Sequence, residues 1–185
     1  MFKLIIHIIT PLLFLSSCER EHIRVYKIPK PTEMIEQKMP KTVQGSNQIN
    51  LTWNKPFGWE EVAGHSMRLA SFNVPYTEGY ADLSITSFPG KSGGVAANVN
   101  RWLGQVGMEP LDSKSINKIQ NLKVGRLGSF KYFKLMGNID TESAILASIF
   151  EIQDNTLFVK CLIPVRFADE IESDFIKFCG TLFVK

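Results

Sequence analysis

Hydrophobic residues spaced as on one side of a helix mark the most informative run of the chain, residues 88–107. At about 100° per residue its apolar side chains fall within one arc, which comprises Val95, Ala96, Val99, Trp102, Leu103 and Val106. Gly93 and Gly94 precede the arc, and Gly107 follows it. Glycine suits both a tight entry turn and the position just after a helix. The pattern therefore predicts an amphipathic helix that is entered through a glycine turn and ends near Gly107.

Alternation of apolar and polar residues predicts strands on both sides of this helix. The clearest case spans residues 81–86, where one face is expected to be buried. Other strands are predicted over 49–53, 67–75, 127–136, 143–153 and 156–163. In the strand over 67–75, Arg68 is expected to share a face with Ala70, Phe72 and Val74. Residues 60–63 are a weak extended stretch, and 116–124 fit either a short helix or a strand.

The second half of the chain contains the best hairpin signal and a second helix. Asp154 and Asn155 separate two apolar runs and suit a two-residue turn. Helical spacing then recurs at Ile171, Phe175, Phe178 and Cys179. Gly180 is the predicted end of this helix, and the last residues are expected to fold back onto the core. The order of elements predicts an α+β domain with an antiparallel sheet of about six strands and helices packed on it.

The N-terminal residues have a different pattern, with an apolar run over residues 4–15 that ends in Leu15-Ser16-Ser17-Cys18. This layout is typical of a secretory signal, and the run is too short to span a bilayer. The motif resembles the lipobox of bacterial lipoproteins. That resemblance implies cleavage before Cys18 and acyl chains on this residue, and more than one chain anchors a protein stably. Glu19, by the same resemblance, implies the periplasmic face of an outer membrane. An ordinary signal peptide or a short anchor is the alternative.

These patterns and the composition predict three segments: a signal peptide (residues 1–17), a lipidated cysteine with a flexible tether (18–48) and one globular domain (49–185). The segment 19–48 holds six basic and four acidic residues and few large apolar ones, so it cannot form a core. The globular domain carries fourteen basic and fourteen acidic residues and is of single-domain size. The net charge of +3 therefore comes from the N-terminal segments. It does not indicate the clustered basic surface of nucleic-acid binding.

The residue types of the domain argue against common catalytic and metal sites. Its one histidine, His65, has no carboxylate or cysteine at a diagnostic spacing, so we interpret it as a solvated loop residue. The run Gly90-Lys91-Ser92 lacks the first glycine of a phosphate loop, because Ile85 occupies that position. One histidine and two cysteines do not make a zinc set, and the acidic residues show no calcium-loop spacing. The sequence thus predicts no metal and no cofactor.

Cys161 and Cys179 are the two cysteines of the domain. Export from the cytoplasm and the even count permit a disulfide between them. Both also lie on apolar faces of their predicted elements, where a free cysteine behaves as a small hydrophobic residue. The sequence leaves both alternatives open.

A spaced set of residues in the domain carries a family resemblance: Trp53, Pro56, Gly58-Trp59, Met67-Arg68, Phe72, Pro89-Gly90, Gly93-Gly94, the run 98–102 and Gln105. The set resembles an uncharacterised family of envelope lipoproteins of planctomycetes and verrucomicrobia. The wider pattern, in which a helix follows a strand near Pro164, is similar to the PsbP-like fold, an antiparallel sheet between helices. This resemblance implies a scaffold whose known members mostly bind partners without catalysis. It carries over no active site.

Asn98, Arg101 and Gln105 form a polar stripe beside the apolar arc of the predicted helix. An arginine beside two amides is suited to recognise a carboxylate, a sugar or a partner's backbone. The alternative is internal, with these side chains bonded to carbonyls of the glycine turn and an adjacent loop. Trp53 and Trp59 form either an exposed aromatic platform or the lid of the core.

The candidate binding residues are Trp59, Arg68, Asn98, Arg101 and Gln105. The sequence predicts a membrane-anchored, non-catalytic binding or accessory module in the cell envelope, with a protein partner and no nucleic acid. The alternatives are a small-ligand receptor or enzyme that uses the polar stripe, and a purely structural envelope component. A receptor requires Arg101 and Trp59 in one pocket. An accessory module requires an exposed apolar or aromatic patch.

Overall fold

The structure, a computed structural model, describes residues 49–64, 67–138 and 141–185. The predicted signal peptide, the predicted lipidation site Cys18 and the predicted tether lie outside these residues, as does His65. None of the helices in the described ranges combines the length and apolar content needed to cross a bilayer.

The described residues form nine strands and three α-helices. The strands are β1 (Leu51–Thr52), β2 (Glu60–Val62), β3 (Ala70–Tyr76), β4 (Gly79–Pro89), β5 (Asn121–Gly125), β6 (Gly128–Met136), β7 (Ser143–Ile152), β8 (Asn155–Pro164) and β9 (Phe183–Val184). The helices are α1 (Gly94–Gln105), α2 (Ser113–Ile119) and α3 (Ala168–Thr181). The ambiguous stretch 116–124 contains both the end of a helix and a strand.

Seven strands form one antiparallel sheet in the order β2-β3-β4-β8-β7-β6-β5, and β1 pairs with β9 separately. The predicted α+β class is confirmed. The sheet has seven strands where about six were expected. The weak stretch after Trp59 and the end of the ambiguous stretch 116–124 add β2 and β5, while the predicted strand over 49–53 is short and pairs with β9 instead. Leu182 is buried and Phe183 pairs with Thr52, so the C-terminal residues do return to the core.

Helices lie on both faces of the sheet, over two separate hydrophobic cores. The core beneath α3 includes Phe72, Leu83 and Phe178 and reaches from β3 to β6. The core beneath α1 and α2 includes Trp102 and Phe158, and takes its fully buried strand residues from β6, β7 and β8. One half of this second face, over β3 and β4, is therefore left without a helix packed on it.

The β7–β8 hairpin is present, but its turn is one residue earlier than expected. Ile152 pairs with Asn155, so the two turn residues are Gln153 and Asp154. Gln153 takes the positive φ of 49° that such a turn requires. The register follows the faces of the strands, since a slip by one residue would turn Lys160 into the core under α3.

Gly180 does not end the last helix, which continues to Thr181. Gly180 lies where α3 approaches β5, and a Cβ built on Gly125 would be only 2.7 Å from the Gly180 Cα. The carbonyl of Gly180 also accepts a hydrogen bond of 3.0 Å from the backbone N–H of Arg126. This glycine therefore permits close packing of backbone on backbone.

In the structure Cys161 and Cys179 are both free thiols, buried in the core under α3. Burial raises the pKa of Cys161, and it raises the pKa of Cys179 to about 12. Both thiols therefore stay protonated and act as small hydrophobic residues.

Candidate functional site

A groove of about 650 Å³ lies beside α1, on the half of the sheet that this helix leaves uncovered. Its floor is formed by β4 and β8, and its wall is the middle of α1, at Asn98, Arg101 and Trp102. The alternation of side chains in β4 makes the floor of the groove polar. Leu83 and Ile85 point into the core under α3, so Ser84 and Thr86 face the groove.

The glycine turn fixes the position of α1 at the end of the groove. Gly93 and Gly94 have φ values of 82° and 78°, which favour glycine over residues with a side chain. Asn98 is 4 % exposed, and its Nδ2 donates hydrogen bonds of 2.8 Å to the Ser92 carbonyl and 2.7 Å to the Gly94 carbonyl. Asn98 thus has the internal role that was the alternative for the polar stripe.

Arg101 stands exposed at the rim of the groove, one turn after Asn98. One terminal nitrogen of its guanidinium donates a hydrogen bond of 2.9 Å to Oδ1 of Asn98. Since Nδ2 of Asn98 is held by the glycine turn, its oxygen has a fixed direction. The amide therefore orients the guanidinium without neutralising its charge.

Lys160 brings a second cation to the groove from β8. Its Nζ donates a hydrogen bond of 3.1 Å to Oε1 of Gln105, the last residue of the polar stripe. Burial lowers the pKa of this lysine, as does the charge of Arg68, while Asp82 acts in the opposite direction. Lys160 is thus held in a position that disfavours its own charge.

Arg68 lines the groove but lies on the other side of the sheet from the one expected. Its guanidinium binds the carboxylate of Asp82 through two hydrogen bonds, of 2.8 and 2.9 Å, and donates a third of 3.2 Å to Oγ of Ser71. The expectation that Arg68 shares a face with Phe72 was wrong, because β3 begins only at Ala70 and alternation does not extend to residue 68. The hydrogen bond to Asp82 raises the pKa of Arg68 despite partial burial.

Aromatic rings form the apolar part of the groove, next to the cations. Trp102 and Phe158 meet edge to face with ring centroids 5.9 Å apart, and Phe88 lies 6.1 Å from Phe158. All three residues line the groove. The site therefore offers an apolar surface beside three positive side chains, a combination that suits a ligand with a polar and an apolar part.

Trp59 lies far from this groove, in the core under α3. It is 5 % exposed, and its ring centroid is 4.9 Å from that of Phe178. Trp59 therefore acts as a lid of the core, and the structure does not bring it into one pocket with Arg101. The groove contains Arg68, Asn98 and Arg101 of the candidate set, with Gln105 bonded at its edge and Trp102 as its tryptophan.

Sequence reasoning missed several groove residues: Ser84, Thr86, Phe88, Phe158 and Lys160. The signal for Lys160 was present, since it is the one charged residue inside the apolar run 156–163. A lysine there has to reach solvent or an acceptor, and it therefore marks the open part of a strand face. In the ranges that the structure describes, no group of three or more His, Cys, Asp and Glu residues is placed to hold a metal ion.

Neither a family model nor a curated protein matches this chain. Among solved structures, it is similar to the solution structure of cyanobacterial PsbP (CyanoP) from Synechocystis sp. PCC 6803. The identity is 14 %, the TM-score is 0.48, and the match covers 76 % of this chain and 89 % of that one.

The chain is also similar to a protein from Bacteroides thetaiotaomicron VPI-5482, known from a crystal structure. The identity is 17 % and the TM-score is 0.46, with 74 % of this chain covered. The match takes in 45 % of the Bacteroides chain, so this chain spans less than half of that protein's length. Similarities at this level of identity carry no function from one protein to the other.

Proposed function

We propose that this protein is a membrane-anchored, non-catalytic binding module of the bacterial cell envelope, and that the groove beside α1 is its binding site. The groove itself is the observation that carries this proposal. Its volume of about 650 Å³ is in the range of small-ligand sites. Polar donors and aromatic rings converge in it, as in sites that bind a ligand in one orientation.

Support for a non-catalytic role comes from the residue types available for chemistry. Cys161 and Cys179 are buried thiols whose raised pKa values keep them from acting as thiolate nucleophiles. The groove contributes arginine, lysine, serine, threonine and amide side chains, which are suited to binding by hydrogen bonds.

Support for the envelope location comes from the sequence: Leu15 to Cys18 resembles a lipobox, and the domain resembles envelope lipoproteins of planctomycetes and verrucomicrobia. Cleavage before Cys18 and acylation would place the domain at the periplasmic face of the outer membrane, on the tether 18–48. We expect Cys18→Ala to abolish incorporation of labelled palmitate when the chain is expressed in a bacterium with a lipoprotein pathway. Labelling that persists in Cys18→Ala would refute the anchor, and Cys161→Ala is the matched control that should stay labelled.

A second candidate function is docking of an envelope protein at the β5 edge of the sheet. β5 is an edge strand, and its Leu122 and Val124 side chains are 64 % and 81 % exposed. An edge strand with exposed apolar side chains is a surface to which a partner's strand can be added. This is the exposed apolar patch that an accessory module requires.

One crosslinking experiment compares the two surfaces in intact cells. The photoreactive residue p-benzoylphenylalanine is placed at Met67, which is 68 % exposed at the groove, or at Val124 on β5. Phe57, a fully exposed turn residue, is the control position. We expect an adduct from Met67 that is lost when Arg101→Gln is added, and no adduct from Phe57.

The products separate the functions. An adduct from Met67 that depends on Arg101 supports the groove as the binding site. A protein adduct from Val124 with none from Met67 supports the docking edge instead. No adduct from either position would contradict a binding role and favour a structural component of the envelope.

A further inference from the structure

The groove is lined by more positive than negative side chains. Arg68, Arg101 and Lys160 line it, and none of the described lining residues is acidic. Asp82 stands beside the groove and pairs with Arg68 through both carboxylate oxygens. The pair is close to neutral, so the positive charges of Arg101 and Lys160 dominate the remaining surface. The domain as a whole has equal numbers of basic and acidic residues, which makes this excess a local feature.

Arg101 and Lys160 lie on the same stretch of the groove. Arg101 and Gln105 are four residues apart in α1, so their side chains are neighbours on one helix face. Lys160 is bonded to Gln105, which brings its ammonium group to that face. Both cations therefore line the same part of the groove.

Neutral oxygens are the acceptors that hold the two cations in their hydrogen bonds. Arg101 donates to the amide oxygen of Asn98, and Lys160 donates to that of Gln105. When the acceptor is an anion, the Coulomb attraction between the two opposite charges adds to the hydrogen bond, and a neutral amide oxygen does not supply this term. An incoming anion therefore gains more from these donors than is lost when an amide oxygen gives way.

The rings of Trp102 and Phe158 next to the cations favour a ligand that also carries an aromatic or aliphatic group.

These observations deepen the proposed function, on which the inference rests. We propose that the groove binds a small organic anion. Its carboxylate, sulfonate or phosphate group binds Arg101 and Lys160, and its apolar part lies against Trp102 and Phe158.

The test uses two fluorescent probes with the same ring system. 1-Anilinonaphthalene-8-sulfonate (ANS) carries a sulfonate, and N-phenyl-1-naphthylamine lacks it. Both are titrated into a chain of residues 18–185 that carries Cys18→Ser, which removes the predicted lipidation site. We expect ANS to bind at least about tenfold more tightly than the uncharged probe, since one charge-assisted contact supplies a difference of that size. Added salt should weaken ANS binding alone.

Variants assign the ANS site to the groove. Arg101→Gln and Lys160→Met should each weaken ANS binding about tenfold and leave the uncharged probe unaffected. Lys123→Gln, on the distant strand β5, is the matched control and should bind ANS as the wild type does. Arg101 is exposed, so Arg101→Gln should keep the wild-type melting temperature, which shows that lost binding is not lost folding.

Three results would overturn the inference: equal affinity for the two probes, ANS binding that both groove variants leave unchanged, or no ANS binding to the wild type. Each of these is independent of the crosslinking at Met67. A Met67 adduct together with equal affinity for the probes would keep the groove as a binding site and reject its preference for anions. Absence of the Met67 adduct, with selective ANS binding intact, would reject the groove as the binding site used in the envelope and keep its preference for anions.

Discussion

The two faces of the sheet at β3 and β4 share one backbone but carry different kinds of side chain. Toward α3, Phe72 and Leu83 are fully buried, and the Phe72 ring lies 5.3 Å from that of Phe178. Toward the groove, β4 presents Ser84 and Thr86, beside the Asp82 that pairs with Arg68. Period-two alternation of β4 separates the two sets of side chains.

The two faces therefore contribute differently: the face under α3 stabilises the fold, and the groove face is the proposed binding surface. The face under α3 contributes through apolar burial, about 25 cal/mol for each Å² removed from water. The groove face holds Lys160. Burial and the charge of Arg68 lower the pKa of this lysine, so its positive charge opposes folding. The proposed anion would offset this cost when it binds, and a destabilising feature of this kind is common at sites selected for function.

The largest effect is expected on the α3 face. Phe178→Ala should lower the free energy of unfolding by about 3–5 kcal/mol, because it leaves a cavity among Trp59, Phe72 and the remaining core. Urea unfolding followed by far-ultraviolet circular dichroism measures this loss. Thr86→Ala, in the groove floor of the same sheet, is the comparison and should change stability by less than about 1 kcal/mol. Equal losses in the two variants would contradict the division between the faces.

A second comparison uses two glycines that differ in the space around them. Gly125→Ala should destabilise the domain by about 1–3 kcal/mol, because the new Cβ would lie 2.7 Å from the Cα of Gly180 in α3. Gly104→Ala should instead stabilise it by about 0.5–1 kcal/mol. Gly104 lies on the exposed side of α1 with no atom within 4 Å of its Cβ position. Thermal unfolding of both variants tests this, and a stabilising Gly125→Ala would show that α3 does not pack closely on β5.

The smallest effect concerns Lys160 and depends on pH. Its pKa is lower in the folded than in the unfolded chain, so its charge opposes folding below the folded pKa, and stability rises as pH increases through that value. Lys160→Met should therefore raise the free energy of unfolding at neutral pH, by less than about 1 kcal/mol after solvent screening. The gain should shrink toward about pH 10. Unfolding at both pH values, with Lys123→Met as control, measures it. A destabilised Lys160→Met with no pH dependence would contradict this account.

Local patterns predicted the elements that bury one complete face. The apolar arc from Val99 to Val106 specified α1, and the alternation around Leu83 specified the buried face of β4. The glycine turn was predictable because positive φ values strongly favour glycine. These features depend on residues close together in the chain.

The groove was less predictable because it is assembled from distant segments. Lys160 meets Gln105 only because β8 pairs with β4 and α1 follows β4 directly. Arg68 was placed on the wrong face because alternation does not show where a strand begins. The role of Asn98 was stated correctly as an alternative, but the spacing alone did not decide between an internal bond and a ligand.

The most direct test of the central claim is a map of ANS binding on amide shifts in nitrogen–proton correlation spectra of the mature Cys18→Ser chain. The account predicts that the amides of Thr86, Arg101 and Lys160 shift with ANS concentration, while those of Phe175 and Phe178 in α3 do not. Shifts concentrated on α3 or on the β5 edge, with the groove amides unchanged, would contradict it.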